Sequence, residues 1–428
     1  MTKIAFIGSG SYTFGPSILK QAFIEDRLDG IELALVDLDK PAVELMAAVA
    51  RRLAASAGLR AKVTAHTERE KALDGADFVI CSAAVQGLKR FNMDVEIAHR
   101  LAPGHLITEF GGVAGISYSL RQIHLITSIA ADMRRLCPDA WLLDCANPLP
   151  RVCQAAHESG VKTAGFCSVS SGFYGTIWKL LNGVRLRYPW ADARDKWTFV
   201  AAGLNHFSWL LEMKDIATGH DLIDLLRRRL DAGGTVDEPR CEQVFREVGT
   251  WLLPCDDHVK DFLPPTGVEA PRTHAFHGDA AERQERREHL TAVAEGRTAL
   301  NVKGEAWERP VDLIASMLDG RQSRFNSINL INAGQIANLP RNVFVETPAV
   351  GTKDGPKPRE LRLPPFTLPY TVSAAAVTDT IVQAALKRSV ALVHKAVELD
   401  PTVQDKGAGL AAIDECLKAH ADVLPAYS

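Results

Sequence analysis

Short apolar runs alternate with longer amphipathic stretches from the N-terminus as far as Cys167. "KIAFIGSGS" is an apolar run ending in glycines, and "ILKQAFIEDRL" after it spaces its apolar positions as a helix does. "GIELALVDLD" is a second run closed by acids, and "PAVELMAAVARRLAASAG" is a long amphipathic helix closed by glycine. "KVTAHT" predicts a third strand, "REKALDGA" a short helix, "DFVICSAA" a fourth strand, and "SLRQIHLITSIAADMRRLCP" a helix that stops at proline. "AWLLDCANP" and "VKTAGFC" supply two more strands. Strands that are apolar without alternation are covered on both faces, so the pattern predicts an α/β fold built on a doubly wound, mainly parallel sheet.

After this regular half come "FVAAGLNHFSWLLEM", a charged region from 267 to 308, "INLINAGQIANLPRNVFVETPAV" and the long helical stretch "VTDTIVQAALKRSVALVHKAVELD". The expected division is a Rossmann-like nucleotide domain over 1–190 and a mixed α+β domain over 191–428 for substrate binding and oligomerisation. A chain of 428 residues has room for both. Its 46% apolar and 24% charged residues are ordinary for a soluble globular protein. A net charge of -3, with no dense Lys/Arg run, argues against nucleic acid, and no apolar run reaches the roughly 18 residues of a membrane span. The eight cysteines stand singly, and the N-terminus lacks the features of a signal peptide, so a reducing cytoplasm is expected.

The first turn reads Gly8-Ser9-Gly10-Ser11, the opening of a dinucleotide fingerprint whose third glycine is replaced by Thr13. Glycines there let the backbone approach a pyrophosphate, and the helix start offers free N–H groups. Asp37 ends the second strand, where a carboxylate binds the ribose hydroxyls of NAD and repels the 2′-phosphate of NADP. Gly8, Gly10, Ser11, Asp37 and Ala84, after the fourth strand, form the expected NAD site. Polar residues also interrupt apolar segments at Glu109, Asn147, Cys167, His206 and the Asp256-Asp257-His258 cluster, which is costly unless they are partnered or functional.

"FIGSGSYTF", "TEFGGVAGISYSLRQI", "CPDAWLLDCANP", "GFCS", "GLNHFSW", "PCDDHVKDFLP" and "INAGQIANLPRNVFVETP" follow one another in an order that resembles the NAD-dependent glycosidases of glycoside hydrolase family 4 and their relatives. The resemblance spans nearly the whole chain and implies a fold of the lactate/malate dehydrogenase-like superfamily. It also implies an unusual cleavage: transient oxidation of the sugar at C3, deprotonation at C2, elimination of the glycosidic oxygen, addition of water and re-reduction. NAD is then a catalytic redox cofactor, and a divalent metal, manganese first, stabilises the enolate.

The same resemblance places Cys167 and His206 as metal ligands and Asn147, Glu109 and His258 against the substrate. Asp256 is the expected base at C2, with Asp257 as competitor. Ser168 is the catalytic candidate beside Cys167, where many relatives carry an acid that can protonate the leaving oxygen. A serine there, and the wide spacing between Cys167 and His206, mark a divergent branch. Family members often take sugars bearing an anion, and Lys89, Arg90, His105, Arg121 and Arg151 are candidate cationic clamps. An α-sulfoquinovoside is the favoured substrate. An α-glucuronide, α-galacturonide or other α-glycoside is the alternative, a 2-hydroxy-acid dehydrogenase or a non-catalytic nucleotide sensor the competing class, and a homodimer or homotetramer the expected assembly.

Overall fold

A computed structural model describes residues 1–167, 173–182, 196–234, 236–266, 280–301 and 308–428. Six parallel strands come first: β1 (Lys3–Ile7), β2 (Ile31–Val36), β3 (Ala61–His66), β4 (Phe78–Cys81), β5 (Trp141–Asp144) and β6 (Lys162–Gly165). Their order, β3-β2-β1-β4-β5-β6, is that of a dinucleotide-binding sheet. The expected strands are all present, and β1, β4 and β5 are buried almost throughout because helices cover both faces. The edge strand β3 has a single buried residue, Val63, as an exposed edge requires.

Helix boundaries follow local chemistry. Asp39 caps the helix Lys40–Ser56 by accepting from the Ala42 N–H at 3.1 Å, with Pro41 in the first turn. The helix Gly112–Leu136 begins before its apolar period becomes visible, inside the glycine-rich "GGVAGIS". A helix over Gly87–Leu101, absent from the sequence-based expectation, follows β4.

The sheet does not stop at β6. In it β10 (Arg324–Ile331) pairs antiparallel with β6, followed by β11 (Phe344–Thr352), β7 (Trp197–Leu204), β8 (Phe207–Asp215) and β9 (Leu252–Leu253), while β12 (Gly355–Pro358) pairs with β11. The late strands β10 and β11 are thus inserted between the end of the parallel half and the β7–β8 hairpin. One cross-strand row runs Cys81, Asp144, Gly165, Asn329, Glu346, Gly203, Ser208, Leu253. Its polar members Asp144, Asn329, Glu346 and Ser208 are all buried, an unusual concentration for a sheet interior.

The helices Leu368–Lys387, Val390–Leu399 and Lys406–Ala419 return to cover one face of the parallel half beside Gly112–Leu136. The single helical stretch expected there is broken at Arg388, which adopts φ +53°. Among the described residues, no helix is long and apolar enough to cross a membrane.

Candidate active site

The glycine turn sits at the carboxyl end of β1, beside the loop leaving β4. Gly8 has φ +84°, and a Cβ on it would lie 2.7 Å from the Ala83 nitrogen, so only glycine fits. A Cβ on Gly10 would meet the Asp37 carboxylate at 2.7 Å. That carboxylate accepts from the Gly10 N–H at 2.9 Å and the Asp39 N–H at 3.0 Å, so Asp37 ties the turn to the end of β2. Ser11 Oγ accepts from the Phe14 N–H at 3.2 Å and starts the helix Phe14–Lys20. Thr13 stands at the third glycine position, and Gly15, two residues on, is tightly packed against the turn: a Cβ there would lie 2.7 Å from the Ser9 carbonyl oxygen.

Glu109 lies on a loop pinned from two sides and braced within itself. The Phe110 N–H donates to Asp261 at 3.1 Å and the Gly112 N–H to Asp400 at 2.8 Å, while Thr108 and Gly111 bond each other. A Cβ on Gly111 would strike the Asp261 carbonyl oxygen at 2.3 Å, which explains the glycine pair. From this loop Glu109 Oε2 accepts from Asn147 Nδ2 at 3.2 Å, joining the ends of two different elements. Buried Gln122 completes the frame: its Nε2 donates to the carbonyls of Ala83 and Asn147, and its Oε1 accepts from the Val85 N–H. Ala84 is exposed between its two tethered neighbours. Sequence reasoning misses Gln122, because it looks like any polar residue on a long helix.

Cys167 follows β6 and His206 occupies the two-residue turn of the β7–β8 hairpin; Cys167 Sγ and His206 Nε2 are 3.5 Å apart. His206 has φ +64°, an uncommon conformation for a residue with a Cβ and one that concentrates at functional sites. Its ring packs on Phe110 at 4.5 Å and edge-on against His258 at 4.9 Å between centroids. His258 Nδ1 in turn lies 3.2 Å from Cys255 Sγ.

Other expected residues take different parts. Asp256 Oδ2 accepts from the Arg240 N–H at 2.9 Å and Oδ1 from the Cys241 N–H at 2.8 Å, while Glu238 accepts from the Asp256 N–H at 2.7 Å. This is a reciprocal cap on the helix Pro239–Val248, so both oxygens of the expected base already serve that helix. Asp257 is exposed and takes an ion pair from Lys260 at 2.9 Å. Arg121 is fully buried and grips Asp94 at 2.5 Å, and Arg90 is buried against Asp422 at 2.5 Å, so neither guanidinium is open to a substrate anion. Arg151 is buried behind Phe110, donates to Ser119 at 2.7 Å, and burial lowers its pKa to about 10. His105 accepts from the Asp405 N–H at 3.3 Å. Lys89 is exposed, and Ser168 lies outside the described residues.

The sequence model of family 4 glycosyl hydrolases matches residues 3–183, and that of the family 4 glycosyl hydrolase C-terminal domain matches residues 201–403. The chain belongs to glycosyl hydrolase family 4. It is similar to an alpha-galactosidase of Bacillus subtilis (strain 168), 27% identical over 461 residues and covering 100% of both chains. An alpha-galacturonidase of the same organism is 26% identical over 434 residues, with 94% of this chain and 93% of the relative covered. Among solved structures, a 6-phospho-alpha-glucosidase from gut microorganisms in complex with NAD and Mn2+ has a TM-score of 0.79 at 19% identity, covering 100% of both chains. That likeness is one of fold.

In this family 4 glycoside hydrolase, Cys167 and His206 lie close enough to hold one divalent ion between them. At the bond lengths of a zinc site, about 2.3 Å to sulfur and about 2.1 Å to imidazole nitrogen, a tetrahedral angle puts two ligands about 3.6 Å apart. The observed separation of 3.5 Å is close to that value. Among the described residues no group of three or more His, Cys, Asp or Glu could hold an ion, and an ion on two protein donors keeps further positions for substrate oxygens.

Proposed function

We propose that this hydrolase cleaves an α-glycoside by transient oxidation of the sugar, with NAD at the Gly8–Ser11 turn and a divalent ion, manganese first, at Cys167 and His206. The convergence of Cys167 and His206 to 3.5 Å, from two different strand ends, is the observation that carries this reading. When bound, NAD supplies a reversible hydride acceptor and the ion an electrophile. The chain's own residues supply the rest. Gly8 and Gly10 let the cofactor's pyrophosphate reach the backbone, and Asp37 accepts from ribose hydroxyls. Phe110, packed on His206, fixes the ring and keeps water from it. Asn147 and Glu109, already bonded to each other, orient the sugar hydroxyls. With Asp256 engaged in capping, exposed Asp257 takes the base role at C2. With NAD bound, the oxidation at C3 would be reversed within each turnover, so hydrolysis would leave no net NADH.

For the sugar, an α-sulfoquinovoside is taken first, because Ser168 beside Cys167 and the long spacing to His206 set the chain apart from the family's usual pattern. An α-galacturonide comes second, favoured by the near full-length similarity to an alpha-galacturonidase. Lys89 is the exposed cation proposed to meet the sulfonate or carboxylate.

The test is hydrolysis of matched aryl sulfoquinovoside, galacturonide, glucuronide, galactoside and glucoside, each with and without NAD and with and without Mn2+. The expected outcome is turnover of an anionic α-glycoside that requires both additions and incorporates deuterium at C2 from heavy water. Turnover that needs no NAD overturns the redox route. Net NADH formation with a 2-hydroxy acid would identify a dehydrogenase instead.

A further inference from the structure

Cys167 and His206 sit at the ends of strands that are not neighbours, since β10 and β11 lie between β6 and β7. Their separation is therefore set by what β10 and β11 do to each side. On the β6 side, Ser327 of β10 donates its hydroxyl to the Cys167 carbonyl oxygen at 3.1 Å. On the β7 side, buried Glu346 of β11 accepts from Asn205 Nδ2 at 2.8 Å through Oε2, and its Oε1 lies 3.1 Å from Ser208 Oγ, whose one hydroxyl proton it shares with the Leu204 carbonyl oxygen at 2.9 Å. Asn205 immediately precedes His206, and Ser208 closely follows it.

We propose that Glu346 is a positioning residue for the metal pair, holding the His206 turn in register with Cys167; this rests on the metal reading given above. The turn needs such a hold. His206 occupies a left-handed conformation that a residue with a Cβ disfavours and that persists only where the surroundings over-determine it. Asn205, Ser208 and Glu346 are all buried, so the contacts between them are made away from water, where leaving a polar group unpaired is costly. Glu346 is also opposite Gly203 of β7 in the sheet register, so backbone and side chain fix the same hairpin. Groups that orient a ligand residue commonly change metal affinity by about 10- to 100-fold.

The experiment titrates the metal-free protein with Co2+ alone, following the thiolate-to-metal absorption band and the dissociation constant, with folding checked by circular dichroism. Cys167→Ser is the control for the metal reading, and its expected outcome is loss of the band. Glu346→Gln keeps a hydrogen-bonding group of the same shape, and Ser208→Ala removes one of the two contacts in a milder change. The expected result is Co2+ affinity weaker by about 10- to 100-fold in Glu346→Gln and by several-fold in Ser208→Ala, with the band intact at saturation. Wild-type affinity in both variants, with the band lost in Cys167→Ser, overturns the positioning role and leaves the metal site standing. A band unchanged by Cys167→Ser overturns the metal reading and the proposal with it.

Discussion

Asp256 and Asp257 are adjacent carboxylates with opposite surroundings. Asp256 faces two N–H groups at the start of a helix, while Asp257 faces solvent and Lys260. A carboxylate with both oxygens accepting backbone N–H groups is held as a cap, and moving it toward a sugar would strand those donors. Asp256→Ala is expected to lower stability by about 1 kcal/mol, with Asp256→Asn milder because asparagine also caps well. Neither should change kcat more than a few-fold, whereas Asp257→Asn should lose on the order of 10²- to 10⁴-fold, the usual contribution of a general base. Urea midpoints and kcat on the same aryl glycoside decide the matter, and a large kcat loss confined to Asp256→Asn would return the base role to Asp256. The cap could not be read from "PCDDH", because the helix it serves starts at Pro239, well upstream, and nothing local marks the contact. Cys167 and His206 stood out as candidates for the opposite reason: each lies in a short block that carries the family resemblance, "GFCS" and "GLNHFSW".

At the scale of elements, the parallel strands were readable because burial on both faces leaves uninterrupted apolar runs. The insertion of β10 and β11 beside β6 was not, since pairing between strands so distant in the chain leaves no periodicity behind. The polar row across the sheet depends on that pairing, and Asp144 is its costliest member. Asp144 is fully buried at the end of β5, Oδ1 has no hydrogen-bond partner, and Cys153 Sγ lies 3.9 Å from Oδ2. Burial pushes its pKa well above the usual carboxylate range. The folded state then holds a proton that the unfolded chain releases near pH 4, so stability is full below that pH and declines as pH rises toward the folded pKa. The slope from this one group is about 1.4 kcal/mol per pH unit within the window. Asp144→Asn mimics the protonated form and should remove that slope, so the variant gains stability relative to wild type as pH rises above about 4. Urea unfolding at a series of pH values checks this; parallel curves for the two proteins would mean that Asp144 is ionised in the fold.

At the scale of the whole molecule, a charge network ties the first half of the chain to its C-terminal end, and it includes Arg90 and Arg121, two of the residues expected as anion clamps. Asp94, on the helix after β4, accepts from Arg121 at 2.5 Å, from Ser117 at 2.7 Å, and lies 2.8 Å from His420 near the C-terminus. Arg90 on the same helix pairs with Asp422, and the last residue, Ser428, bonds the backbone of Arg388 and Val390. The first half of the chain and its C-terminal end thus meet at one carboxylate, and the C-terminal segment closes over the face of the parallel sheet. Removing one partner of a fully buried ion pair leaves the other charge uncompensated, so Arg121→Ala should destabilise by about 3–5 kcal/mol. A clamp on the substrate would behave differently, raising KM for an anionic glycoside while leaving a neutral one untouched. The expected outcome for Arg121→Ala is a large drop in the urea midpoint, with the ratio of KM values for anionic and neutral aryl glycosides unchanged in the folded fraction. Lys89→Ala should show the reverse, an unchanged midpoint and a KM ratio that shifts against the anion. If the ratio moves in Arg121→Ala as it does in Lys89→Ala, the guanidinium leaves Asp94 when substrate binds, and the network is part of substrate recognition as well as of the fold.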